Sequence, residues 1–317
     1  MKSLKHFTII LLILSIALTP ACNTVPSPDK PRAYHIGIYS ISYNVSGYGT
    51  YEAKIRYPAK YDGELAPTDK SDAPYPGIVV SSGHGGGEWS VSWISENLTS
   101  HGYVTLGFTP PDMFSNSTTQ WAEGFIEGIQ QLEIQNSNST SPIHGLLEAD
   151  KFGVIGLSMG GAGCIEAAGA TDTEIDAAVA LAPAGYNSSD TTDTMIAAYN
   201  VAVPVQLQVG SNDSIVPPER ILPFYTELIP NSTIKEYIEI RGGNHIGFLN
   251  WNFAYIATQF GIESNTSIGF EEQRRISSYY FTAWFQYYLK GLEGYYTYIF
   301  GDDAIQRNVS TLEYNVP

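Results

Sequence analysis

The sequence predicts an α/β fold, a mostly parallel sheet covered by helices on both faces, and three observations carry that expectation. Runs of mainly apolar and β-branched residues at 76–81, 103–108, 152–155, 176–182 and 203–209 have strand length and lack the polar alternation of a sheet face open to water. Stretches with apolar residues at helical spacing separate them, as expected of βαβ units. At 151–163 a buried strand runs through Gly156-Leu157-Ser158-Met159-Gly160 into a stretch of Gly and Ala, so that strand, sharp turn and helix follow without a gap. At 317 residues, with no internal repeat, one domain over 34–317 is expected.

Residues 1–22 stand outside that domain. Lys2 and Lys5 precede an apolar run over 7–18 that is too short to span a bilayer, and Thr19-Pro20-Ala21-Cys22 closes it with a small residue before a cysteine. This is the pattern of an export signal peptide, and Cys22 is the residue that a lipid anchor would use. The protein is therefore expected to be secreted or anchored on the outer face of the cell membrane. Residues 23–33, with three prolines, read as a tether.

Alternating β-branched and aromatic residues over 34–57, broken at Ser46-Gly47-Tyr48-Gly49, predict two or three antiparallel strands. A Pro-rich loop over 60–75 leads to the strand at 76–81 and the loop Gly83-His84-Gly85-Gly86-Gly87. Helices are expected over 89–100, with Val91, Ile94 and Leu98 inward, and over 119–135, with Trp121, Phe125, Ile129 and Leu132 inward. After the Ser158 turn come the strands at 176–182 and 203–209, a helix over 218–228 despite Pro223, a strand at 234–240 and a long aromatic helix over 270–289.

Net charge is −16, from 16 basic and 32 acidic residues, with no basic patch. That balance excludes nucleic acid or an anionic membrane surface as the natural partner. Cys164 reads as a small buried side chain, so no intrachain disulfide framework is expected. Nine Asn-x-Ser/Thr sequons, at Asn44, Asn97, Asn116, Asn138, Asn187, Asn212, Asn231, Asn265 and Asn308, would carry glycans only in a glycosylating host. No metal-spaced Cys/His cluster, phosphate loop or dinucleotide fingerprint offers a rival chemistry.

The chemistry therefore centres on Ser158. Gly156 and Gly160 remove the side chains that would collide at a sharp turn, Gly161 and Gly163 let the helix sit close to the sheet, and the helix N-terminus favours negative charge beside the hydroxyl. A serine hydroxyl needs a base within hydrogen-bond reach, and the base needs an orienting acid. Such folds present them in the order Ser, acid, His. Gly210-Ser211-Asn212-Asp213 follows an apolar strand at its C-terminal end, and Gly242-Gly243-Asn244-His245 follows the next. Asp213 and His245 are accordingly the acid and the base, with Asp172, Asp190 and Asp193 the weaker candidates for the acid. An Asx turn before Pro217 is the plainer reading of Asp213. Acyl transfer also needs donors aimed at the developing oxyanion: the N–H of Met159, and one from the loop after 76–81, where His84 is preferred and Gly85 is second.

These segments resemble the cutinase-like polyester hydrolases and the related dienelactone-hydrolase-type esterases of the α/β-hydrolase superfamily. The resemblance is carried by Val79-Val80-Ser81-Ser82-Gly83-His84, Leu98-Thr99-Ser100-His101-Gly102-Tyr103-Val104, Ser141-Pro142-Ile143-His144-Gly145, 152–161, 177–183, 204–217 and His245, in the family's order. It implies an α/β-hydrolase fold with an eight-stranded core sheet, no cofactor, and hydrolysis of carboxylic esters through an acyl-enzyme. It also implies Ser158, Asp213 and His245 as the triad, and His84 and Met159 as the oxyanion donors. The sequence departs from the family where His84 and Leu157 stand in place of aromatic residues. It departs again where Ala184 replaces a Trp beside the acyl group, with Tyr186 as a substitute, and in lacking a C-terminal disulfide. A longer segment, 246–269, follows His245 with Phe248, Trp251, Phe253, Tyr255, Ile256 and Phe260. It reads equally as a lid or substrate wall and as an extra helix packed on the core.

The sequence thus predicts a monomeric serine esterase acting on small-molecule or polymeric esters, with Gly85, Leu157, Tyr186, Ile246 and Phe248 lining the substrate site. A serine peptidase of the same fold and a non-catalytic cell-surface binding protein are the competing readings.

Overall fold

The computed structural model describes residues 25–30, 33–186, 191–305 and 308–315. The signal peptide expected over 1–22 and the anchor at Cys22 lie outside the described residues. The N-terminal alternation forms a hairpin of β1 (His35–Val45) and β2 (Gly49–Ala59), turning at 46–48 as its glycines require. Next come β3 (Gly63–Glu64), β4 (Tyr75–Ser81), β5 (Val104–Thr109), β6 (Leu147–Leu157), β7 (Ala177–Leu181), β8 (Val205–Gly210), β9 (Lys235–Ile240) and β10 (Val309–Asn315). They make one sheet in the order β10-β9-β8-β7-β6-β4-β5-β2-β1-β3. The six strands from β5 to β9 in that order are parallel, and β2 and β10 pair antiparallel at the two ends of this block.

The helices are α1 (Ser92–Ser100), α2 (Thr119–Ser137), α3 (Met159–Ala168), α4 (Thr192–Ala198), α5 (Trp251–Gln259) and α6 (Phe270–Tyr288), with a short α7 (Tyr296–Ile299) after them. The central strands are apolar on both sides because both sides are covered. Val79, Val154, Ala178 and Leu207 meet α2 and α3 on one face, while Ile78, Val80, Ile155, Val179 and Leu181 meet α1 and α6 on the other. α6 seats Tyr280, Phe281, Trp284 and Phe285 entirely out of solvent. Truncating one such ring to Ala costs about 3–5 kcal/mol, so α6 is a fixed platform on which its first turn can hold a neighbouring loop.

The structure corrects three expectations. The sheet has ten strands rather than eight. β3 is a two-residue addition in the 60–75 loop, and β10 is a half-exposed edge strand without the buried run that would announce it. The expected helix over 218–228 is broken into a 3₁₀ turn, Pro218–Arg220, and a π turn, Phe224–Leu228. Pro223 has no N–H to continue the ladder, and its ring crowds the preceding turn. A Cβ on Gly163 would meet Trp121 Cβ at 2.5 Å, so that glycine lets α3 approach α2 rather than the sheet. Cys164, by contrast, does face the strands: its buried thiol points at the carbonyls of Val154 and Val179, and burial pushes its pKa up. No helix among the described residues is long and apolar enough to cross a membrane.

Candidate active site

Ser158 joins β6 to α3 at φ 58°, ψ −118°, a conformation that costs a non-glycine residue about 1–3 kcal/mol and persists only where the surroundings impose it. Here they do. The Ser158 N–H donates to Leu181 O, and the Ser158 carbonyl accepts from the N–H groups of Ala162 and Ala184, each at 2.9 Å. A Cβ on Gly156 would lie 2.1 Å from Gly160 O, and one on Gly160 would lie 2.2 Å from Ser82 O. The turn is therefore closed by backbone against backbone, which only glycine permits. The side chain of Ser158 is left half-buried at the C-terminal edge of the parallel strands.

Asp213 and His245 end on the same edge, after β8 and β9. Both are buried, and Asp213 Oδ2 accepts from His245 Nδ1 at 2.8 Å. Its other oxygen accepts the N–H groups of Ile215 at 3.0 Å and Val216 at 2.7 Å. The Asx turn and the acid partner are thus one arrangement, each carboxylate oxygen serving one of them. A carboxylate only accepts, so Nδ1 carries the proton and Nε2 is left with its lone pair. Burial pulls the His245 pKa down, but the charge of Asp213, its hydrogen bond and the charge of Glu263 outweigh burial and leave the pKa raised. Asp172 and Asp193 make no hydrogen bond with His245; Asp190 lies outside the described residues.

The loop after β4 lies against Ser158. A Cβ on Gly83 would come within 2.5 Å of Ser158 Cβ and 3.0 Å of Met159 N. The structure separates the two candidate donors of this loop: Gly85 N–H is taken by Met113 O at 2.7 Å, whereas the N–H groups of His84 and Met159 meet no acceptor among the described residues. The His84 ring points outward and meets Phe114 edge-on, with centroids 5.5 Å apart. Glu88, at the far end of the loop, is buried in an ion pair with Arg56 and fixes it from below.

The residues expected to line the substrate site fare differently. Leu157, Ile246 and Phe248 are only 2%, 2% and 0% exposed, and they pack in cores instead of presenting a wall. The expectation overlooked that an apolar residue flanking a buried turn is more easily satisfied inward. Ala184 sits beside Ser158 through its N–H, while Tyr186 is tied to Arg220 O beyond the acid turn. Segment 246–269 is neither a free lid nor a plain core helix. α5 buries Ala254 and Ala257 on a small cluster with Ile246 and Phe270, and it exposes Trp251, Tyr255, Ile256 and Phe260. Asn250 ties its start to the segment 89–93, receiving Trp93 N–H and donating to Trp89 O and Ser92 Oγ, and the Phe253 ring meets Trp89 at a tilt, with centroids 4.5 Å apart.

Sequence reasoning missed Asn250, Gln273 and Glu263. Gln273, from the first turn of α6, brackets Asn244: its Oε1 accepts Asn244 N–H at 3.0 Å and its Nε2 donates to Asn244 O at 2.7 Å. Glu263 carries the one signal that was available, being the only charged residue in 246–269. No group of His, Cys, Asp and Glu among the described residues could hold a metal ion.

A family model described as PET hydrolase-like matches residues 24–314. The chain is similar to Cutinase est1 of Thermobifida alba, at 27% identity over 173 residues, covering 54% of this chain and 53% of that protein. It is similar to Cutinase 2 of Thermobifida cellulosilytica, at 27% over 173 residues, covering 54% and 60%. It is also similar to the bis(hydroxyethyl) terephthalate hydrolase of Streptomyces coelicolor, at 29% over 181 residues, covering 56% and 53%. The chain spans about half the length of the curated relatives it matches.

Proposed function

The chain belongs to the PET hydrolase-like family, and from that premise we propose that it is a serine hydrolase of carboxylic esters, with Ser158 as nucleophile, His245 as base and Asp213 as the orienting acid. The observation that carries the reading is the buried Asp213–His245 hydrogen bond at 2.8 Å on the sheet edge where Ser158 is held at positive φ. His245 Nε2 takes the Ser158 proton as Oγ attacks the ester carbonyl. The N–H groups of Met159 and His84 stabilise the oxyanion, and the alcohol leaves with the proton from His245. Water, deprotonated by the same imidazole, then cleaves the acyl-enzyme. The imidazolium formed in each half is stabilised by the Asp213 carboxylate.

The substrate class is neutral esters with apolar acyl groups, as small molecules or polymers. Ala184 leaves room beside Ser158, and a chain of net charge −16 disfavours anionic substrates. A monomer exported by the 1–22 signal, with Cys22 available to a lipid, completes the proposal. The test is fluorophosphonate labelling of the purified protein with mass spectrometry, alongside turnover of p-nitrophenyl esters of increasing acyl length. Label on Ser158 is expected, and Ser158→Ala should lower kcat by about 10⁴–10⁶-fold. Full activity in that variant sinks the assignment, and faster cleavage of a peptide panel makes it a peptidase.

A further inference from the structure

We propose that Glu263 is a positioning residue that clamps the acid and base loops to each other, one carboxylate oxygen on each. This deepens the ester-hydrolase reading above and rests on it. Oε1 of Glu263 accepts from Ser214, the residue after Asp213, through its N–H at 2.7 Å and its hydroxyl at 3.0 Å. Oε2 accepts the N–H of Ile246, the residue after His245, at 3.1 Å. The carboxylate is 5% exposed, so neither set of donors has water as a ready substitute.

The surrounding chain is laid out around this clamp. Ser264 O receives Asn244 Nδ2 at 2.6 Å, Thr266 Oγ1 donates to Gly242 O at 2.7 Å, and Ser267 N–H donates to the same carbonyl at 3.0 Å. Residues 263–267 thus form a collar behind the base loop. A buried acid costs folding energy unless it is paired or hydrogen-bonded, and 246–269 has no other charge. The segment spends its single acid on the two loops whose separation sets the Asp213–His245 distance.

The groups facing His245 bear on how the clamp is read out. Asp213 approaches from the turn after β8 and Glu263 from the collar, and both favour the imidazolium. α6 presents the uncharged Gln273 to the base loop; Arg274 turns to the carbonyls of Phe270 and Leu249, and Glu272 pairs with Arg275. His84, on the oxyanion loop, has its ring against Phe114. Removing the Glu263 charge therefore lowers the His245 pKa and moves the acid limb of activity to lower pH.

The experiment compares wild type, Glu263→Gln, Glu263→Ala and Ser158→Ala in the full chain, by thermal melting and by pH profiles of p-nitrophenyl ester turnover. Glu263→Ala is expected to lose about 10–100-fold in kcat with little change in KM, the signature of misplaced catalytic groups. Glu263→Gln should lose less, because its amide oxygen still accepts on one side, and its acid limb should shift to lower pH. Folded variants with wild-type kcat and an unmoved acid limb overturn the clamp. Loss of folding in both also overturns it, since the carboxylate would then hold the fold and not the site. Should only Glu263→Ala fail to fold, the acid limb of Glu263→Gln decides. An active Ser158→Ala breaks the reading of the site itself, whereas an inactive one beside unaffected Glu263 variants breaks the clamp alone.

Discussion

The Ser158 side and the His245 side of this site lie on one sheet edge, yet they are held by different physics. Around Ser158 the contacts are backbone on backbone: three hydrogen bonds of the Ser158 peptide groups and two glycines whose missing Cβ atoms make room for carbonyl oxygens. Around His245 side chains do most of the holding: Asp213 bonds the imidazole, Glu263 and Gln273 bond the backbone of the base loop, and Asn244 reaches Ser264 O in the collar over 263–267. The first combines a local turn with main-chain groups of Ser82, Leu181 and Ala184 from neighbouring strands and the loops that follow them. The second is assembled from residues far apart in the chain. The Ser158 turn therefore leaves no room for a Cβ at its glycines, while the surroundings of His245 offer polar side chains that can be substituted one at a time.

The comparison is broken or sharpened by substitutions on each side. The largest stability effect is expected from Gly160→Ala, whose Cβ would lie 2.2 Å from Ser82 O, a backbone atom that cannot step aside. A loss of about 3 kcal/mol or more in urea unfolding is expected, with activity lost alongside. A near-neutral result would mean that the turn is softer than its geometry. Gln273→Ala should cost about 2 kcal/mol, because it strands the buried N–H and C=O of Asn244, and it should lower kcat more than it raises KM. Asn250→Ala, at the more exposed joint between α5 and the start of α1, should cost only about 1 kcal/mol in the same unfolding experiment. The gentlest prediction moves a curve and removes nothing. With its pKa raised, His245 becomes a free base only above the ordinary imidazole value of about 6.5, so the acid limb of kcat/KM should lie above that pH. A limb below it would mean that burial outweighs the two carboxylates.

What the sequence made legible follows the same division. The strands from β4 to β9 and the Ser158 turn announce themselves because buried runs and Gly-x-Ser-x-Gly are local patterns. Asp213 and His245 were singled out because each follows a strand at its C-terminal end, and the structure joins the two by a hydrogen bond at 2.8 Å. β10 escaped because Val309 and Leu312 are partly exposed on an edge strand and form no run. Leu157, Ile246 and Phe248 were assigned to the substrate site by nearness along the chain, which does not say on which side of the sheet or loop a side chain falls. Glu263 and Gln273 reach the base loop from elements whose docking no sequence window contains. Their roles become visible only once α6 and the collar are in place.

One consequence of the packing of α3 concerns how the molecule opens. Cys164 is the free cysteine among the described residues, sealed between α3 and the carbonyls of Val154 and Val179. A thiol so placed, with burial raising its pKa, cannot meet a reagent until the helix behind Ser158 leaves the sheet. Its rate of chemical trapping under native conditions is thus a clock for the lifetime of the assembled Ser158 turn, independent of any substrate. Run beside ester turnover as temperature rises, that clock distinguishes loosening around His245 from the coming apart of the Ser158 turn itself.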